Sequence, residues 1–142
     1  MFKDIGNELV QRPEIRELLG YAAIPTGEEE EELLEHYASL ADWHLYGYED
    51  EGLIVGITGF VEQADGELRL QHLAVLPENR HKGYARGMLL ELIKERELQR
   101  MTANTDEEGA QFFRQLGFAV YITKDAHTGI EYYRCVYEVE LD

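Results

Sequence analysis

Residues 80–86, read as "RHKGYAR", place Arg80, His81, Lys82 and Arg86 around one glycine, Gly83, with no acid among them. An amphipathic helix pattern starts at Tyr84, its buried face formed by Ala85, Met88, Leu89, Leu92 and Ile93. The first amides of a helix have no internal acceptor, and the helix dipole puts partial positive charge there. A glycine in the turn lets backbone come close to a ligand. The chemistry this spacing offers is anion binding: a phosphate or diphosphate cradle directly after a strand. The spacing is neither that of a Walker loop nor that of a dinucleotide fingerprint. On residue types alone, a chance cluster of solvated cations fits as well.

Two other side chains could do chemistry. His72 has an unperturbed pKa near neutrality. Strict alternation, however, puts it with Leu68, Leu70 and Ala74 on one face, and Arg69, Gln71, Leu73 and Val75 on the other. A core histidine is therefore expected. Cys135 shares a strand face with Tyr133, Tyr137, Val139 and Leu141, so it too reads as core. As the single cysteine it allows no internal disulfide. No histidine pair has metal-ligand spacing, and no metal is expected.

The elements that must position these residues read as one domain over 1–142. Pro13 opens a helix that stops at Gly20. Thr26 and Glu29 form a capping box for a second helix through Ala41, with Leu33, Tyr37 and Leu40 on one stripe. The acids Glu28 to Glu32 fall in its first turns, as a solvated helix end or an acidic wall facing a substrate. Strands are expected at 43–48, 53–62 and 67–76, the last ended by Pro77. A helix follows over about 84–98, then a strand at 100–105. Thr105 and Glu108 read as the capping box of a helix over 106–116, closed by Gly117. Strands at 118–123 and 130–141 finish the chain. No first strand is evident before the helices, so the sheet is expected to lack one edge strand. The order implies an α/β (α+β) fold, a mixed sheet with helices on both faces.

Composition narrows the function. The chain has 142 residues, 29 acids and 13 bases, a net charge of −16. Such a field repels nucleic acid and anionic lipid and attracts cations. No apolar run could span a bilayer, and the opening residues lack the pattern of a signal peptide, so the cytoplasm is the expected location.

"LAVLPENRHKGYARGMLLELI" resembles the acetyl-CoA signature of the GNAT superfamily of N-acetyltransferases, with [QR]-x-x-G-x-[GA] matched by Arg80 to Ala85. "TDEEGAQFFRQLGF" resembles that superfamily's later helix, in the right order and at the usual distance. The resemblance covers roughly 43–137. It implies a mixed, mostly antiparallel sheet of the acyl-CoA N-acyltransferase type, acetyl-CoA as co-substrate, and direct acetyl transfer to a primary amine of a small molecule.

By the same resemblance, backbone groups of Leu73, Ala74 and Val75 would pair with the pantetheine arm and polarise the acetyl carbonyl. Amides from His81 through Lys82, Gly83 and Tyr84 to Ala85, with Arg80 and Arg86, would hold the diphosphate. Asn104 lies where the family often uses an asparagine near the cofactor. Phe112 and Phe113 would flank its thiol end. The family's general-acid tyrosine falls on Phe113, which cannot donate a proton, and its glutamate base on Arg69. The catalytic groups are thus open, with Tyr84, Tyr121 and Glu67 as candidates beside Tyr132, Tyr133 and Glu62. Cys135 has no histidine partner for an acetyl-cysteine route. The acidic surplus favours a cationic acceptor. Two other functions fit: a non-catalytic acyl-CoA-binding or sensing module, and an interaction domain that keeps the fold. Tyr132, Tyr133 and Tyr137 would suit a homodimer surface.

Overall fold

A computed structural model describes residues 1–8, 12–21 and 30–139. Among these the elements are β1 (Phe2–Asp4), α1 (Pro13–Gly20), α2 (Glu30–Ser39), β2 (Trp43–Asp50), β3 (Leu53–Glu62), β4 (Glu67–Val75), α3 (Tyr84–Arg96), β5 (Arg100–Thr105), α4 (Glu107–Gln115), β6 (Ala119–Lys124) and β7 (Glu131–Glu138). The strands form one sheet in the order β1-β2-β3-β4-β5-β7-β6. Every neighbouring pair is antiparallel except β4 and β5.

Helices cover both faces, as expected. On one, Met88, Leu89 and Leu92 of α3 and Ala110 and Phe113 of α4 pack on Phe60, Leu70, Leu73 and Met101. On the other, Ile15, Leu18 and Leu19 of α1 and Tyr37 of α2 pack on Leu45, Ile57 and Ala74. Leu33 and Tyr37 lie on the buried stripe of α2, but Leu40 stands exposed just past its end. The capping box Thr26–Glu29 lies outside the described residues.

Three expectations are corrected. The sheet does have a first edge strand: Phe2, Lys3 and Asp4 pair with Tyr48, Gly47 and Tyr46. Three residues are too few to show a period of two, and the fully buried Ile5 anchors the strand next to them. The cap of α4 is Asp106, whose Oδ1 accepts from the Gly109 amide at 2.9 Å, not Thr105. Finally, β4 carries a bulge. Gly59 pairs with His72 and Phe60 with Leu70, which leaves Gln71 over. The extra residue inverts the alternation, so Leu70 and Leu73 face α3 and α4 while His72 and Ala74 turn toward α1 and α2.

Candidate functional site

The parallel pairing of β4 with β5 runs only from Glu67 with Arg100 to Arg69 with Thr102. Beyond it the strands part. Backbone groups point alternately to either side along a strand. The Leu76 amide donates to the Val55 carbonyl of β3 at 2.8 Å. The groups of Leu73 and Val75 therefore point the other way, into the opening.

A short 3-10 turn, Pro77–Asn79, leads from this edge to α3. Gly83 is the N-cap of α3 and takes φ +85°, a left-handed conformation that glycine adopts without strain. Open space faces it: a Cβ built there meets no atom within 4 Å. The first bond of α3 runs from the Gly87 amide to the Gly83 carbonyl at 2.9 Å, so the amides just before Gly87 precede the helical ladder. His81, Lys82 and Gly83 are exposed.

Strand edge, turn and α4 enclose a cavity of about 550 Å³. Leu73, Ala74 and Val75 form its floor. Arg80, His81, Gly83, Tyr84, Ala85 and Arg86 form the turn side. Gly109 and Phe112 of α4 and Leu116 just past its end face them. The two arginines are held differently. Arg80 Nε donates to the Val75 carbonyl at 3.0 Å, and its guanidinium lies 5.1 Å from the Tyr21 ring centroid. Arg86 Nη2 donates to the Gln115 carbonyl at 3.0 Å, tying α3 to the end of α4. Asp106 and Glu108 add negative charge at the opposite end of α4. A cationic, amide-bearing turn beside a strand edge that β5 leaves unpaired can take an anion at one end and an extended amide chain along the other.

Other residues expected at a site lie elsewhere. Lys82 and Asn104 do not line the cavity; Asn104 is exposed on β5 opposite Arg134. Phe113 is fully buried, its ring 5.0 Å from that of Phe118, so of the two phenylalanines only Phe112 reaches the cavity. The helical period explains this: Gly109, Phe112 and Leu116 share one stripe, Ala110 and Phe113 the next. Glu67 sits at the far end of β4, 3.8 Å from Arg100. Tyr121 is exposed on the edge strand β6, and Tyr133 and Tyr137 pack against the core. Tyr84 does line the cavity. Its hydroxyl donates to Asp50 Oδ2 at 3.2 Å, and desolvation followed by that carboxylate pushes its pKa up.

His72 is buried behind the cavity floor, with Nδ1 2.5 Å from the Tyr37 hydroxyl. Burial lowers its pKa to about 4, which keeps it neutral. Cys135 is buried, and desolvation raises its pKa to about 11. The sequence reading missed Tyr21, Asn79, Gln115 and the Gly109–Leu116 stripe. Only the stripe had a local signal, its three- and four-residue spacing around Phe112.

No curated protein sequence matches the chain. Solved structures do. A GNAT family acetyltransferase from Elizabethkingia anophelis with acetyl-CoA bound shares 16% identity over 98% of this chain and 97% of that one, at a TM-score of 0.70. The ribosomal-protein-S18-alanine N-acetyltransferase from Escherichia coli shares 18% identity over 100% and 96%, at 0.72. Aminoglycoside 6'-acetyltransferase type Ii shares 16% over 100% and 99%, at 0.70. At these identities the likeness is one of fold. The sequence profile described as the acetyltransferase (GNAT) domain matches residues 41–120. That stretch is more than half of the chain and contains the parted strand, the Gly83 turn and α4, and by it the chain belongs to the GNAT family of acetyltransferases.

Proposed function

We propose that this chain is an acetyl-CoA-dependent N-acetyltransferase that acts by direct transfer on a primary amine of a small molecule. One observation carries the reading: the strand edge at Leu73 and Val75, which β5 leaves unpaired, and the open Gly83 turn share a single cavity. The fit is chemical as well as steric. Arg80, Arg86 and the first amides of α3 suit a diphosphate, and the edge of β4 suits the amide groups of a pantetheine arm.

Acetyl-CoA supplies an activated thioester. In the transfer an amine N–C bond forms, the C–S bond breaks, and one amine proton ends on the CoA sulfur. The chain's own part is to hold the donor along Leu73–Val75 and to polarise the acetyl carbonyl with backbone N–H groups of that edge. Tyr84 belongs to the cradle wall in this reading. The net charge of −16, with Asp106 and Glu108 on the cavity rim, favours a cationic acceptor over an anionic one. The solved relatives named above differ in acceptor, an aminoglycoside in one and the alanine of a ribosomal protein in the other.

A second reading, an acyl-CoA sensor without turnover, is favoured by one fact. Phe113 stands, fully buried, where the family resemblance places an acid tyrosine. Calorimetry with acetyl-CoA, followed by CoA release over an amine panel, separates the two. Binding and release together support the enzyme, and binding alone supports the sensor. Gly83→Glu puts bulk and negative charge into the cradle and is expected to weaken acetyl-CoA binding at least ~100-fold. Near-normal affinity in that variant refutes the site.

A further inference from the structure

Arg80 bonds an atom that an extended ligand on β4 would use. The Val75 carbonyl points into the opening beyond the β4–β5 pairing, and Arg80 Nε already bonds it at 3.0 Å. The Tyr21 ring, 5.1 Å from the guanidinium carbon, holds the side chain from its other side. Among the described residues Arg80 forms no ion pair, in a chain of net charge −16. Among the described residues its contacts are a neutral carbonyl and a ring, and the rest of its charge faces solvent.

We propose, building on the acetyl-CoA reading, that Arg80 selects the donor: it covers the Val75 carbonyl until a diphosphate draws it away, so that the cleft takes CoA thioesters and disfavours phosphate-free ones. A pantetheine amide that pairs with the Val75 carbonyl competes with Arg80 for it. With a diphosphate at the Gly83 turn, three residues on, the released guanidinium gains charge-assisted bonds to phosphate oxygens. With a phosphate-free thioester it gains only water. The exchange of partners makes one end of the ligand a condition for binding the other.

The test compares Arg80→Ala, Arg80→Lys and Lys82→Ala with the parent chain. Acetyl-CoA affinity is measured by calorimetry, and affinity for S-acetylpantetheine, which carries no phosphate, by NMR titration. Arg80 is exposed in a loop, and unchanged Tm values check that each variant folds. Arg80→Ala is expected to bind acetyl-CoA about tenfold or more weakly, yet bind S-acetylpantetheine roughly three- to tenfold more tightly. Arg80→Lys keeps the charge without the guanidinium bond to the carbonyl. It is expected to hold acetyl-CoA within about threefold and to gain for S-acetylpantetheine. Lys82→Ala removes an exposed charge beside the cavity, not on its lining, and is expected to weaken acetyl-CoA by less than about threefold and leave the neutral fragment unchanged. Equal or weaker binding of the fragment by Arg80→Ala overturns the proposal while leaving the acetyl-CoA site intact. Absence of acetyl-CoA binding in the parent chain overturns the site itself.

Discussion

The Tyr37 hydroxyl on α2 lies 2.5 Å from Nδ1 of His72 on β4, and only a glycine fits between them and β3. A Cβ on Gly59 would collide with the Tyr37 hydroxyl and ring. His72 is the partner of Gly59 at the bulge, so helix, bulge and cavity floor are joined at this point. Gly59→Ala is therefore expected to cost about 2 kcal/mol and to lower Tm by several degrees. The penalty should shrink in a Tyr37→Phe background, where the colliding oxygen is gone. Equal penalties in both backgrounds, read from urea unfolding, would sink the account.

The same pair sets a pH dependence. His72 ionises at about 4 in the folded chain because it is desolvated, against an ordinary 6.5. Between those values the unfolded chain binds the extra proton, so stability rises with pH across the window and falls as pH drops below 6.5. The loss between pH 7.5 and pH 5 should be about 2 kcal/mol from this group. His72→Gln should remove that part of the slope. Urea midpoints of both proteins at the two pH values check it, and parallel slopes would contradict it.

Cys135 is expected to be inert in the native state. It is fully buried, and with its pKa raised to about 11 only about one thiol in a thousand is ionised at pH 8. A thiol reagent such as DTNB should titrate no cysteine in buffer and one per chain in denaturant. Rapid native labelling would show that β7 opens.

Much of this arrangement is legible in the residues, because local chemistry carries it. The Arg80–Arg86 turn announces itself through charge and a glycine, and open space does face Gly83. The helices α3 and α4 follow from apolar period. What is not legible depends on partners distant in sequence. The bulge at Gln71 appears only when β3 is laid beside β4, and without it alternation puts His72 on the wrong face. Tyr21 reaches the cavity because α1 packs across the sheet, and no local pattern marks it. Asp106 outcompetes Thr105 as a cap because Thr105 is still paired with Tyr133 in the sheet.

Phe113 tests how literally a family pattern should be read. Its ring is fully buried against Phe112 and Phe118. Phe113→Tyr restores the family residue, but it adds a hydroxyl within the core. A buried hydroxyl without a partner costs about 1–3 kcal/mol. We expect lower stability and no gain in kcat. A kcat raised tenfold at unchanged KM would show instead that the new hydroxyl reaches the leaving sulfur.

Of Tyr84, Tyr121 and Glu67, geometry separates one from two. Glu67 meets Arg100 at the start of β4, and Tyr121 stands on the edge strand β6, both outside the cavity. Glu67→Gln and Tyr121→Phe are expected to leave kcat and KM within about twofold. Tyr84 lines the cavity, but its ring packs on Tyr48 and its hydroxyl bonds Asp50, both on β2, the side away from β5 and α4. The phenol carries its proton at neutral pH, as any tyrosine does, yet that proton already has an acceptor in Asp50. Tyr84 should therefore shape the donor cradle without delivering a proton. Tyr84→Phe is expected to raise the KM for acetyl-CoA about two- to fivefold and to change kcat by less than about twofold. Steady-state kinetics with acetyl-CoA varied at saturating acceptor reads the two apart. A kcat loss beyond tenfold with KM unchanged would make Tyr84 the acid after all.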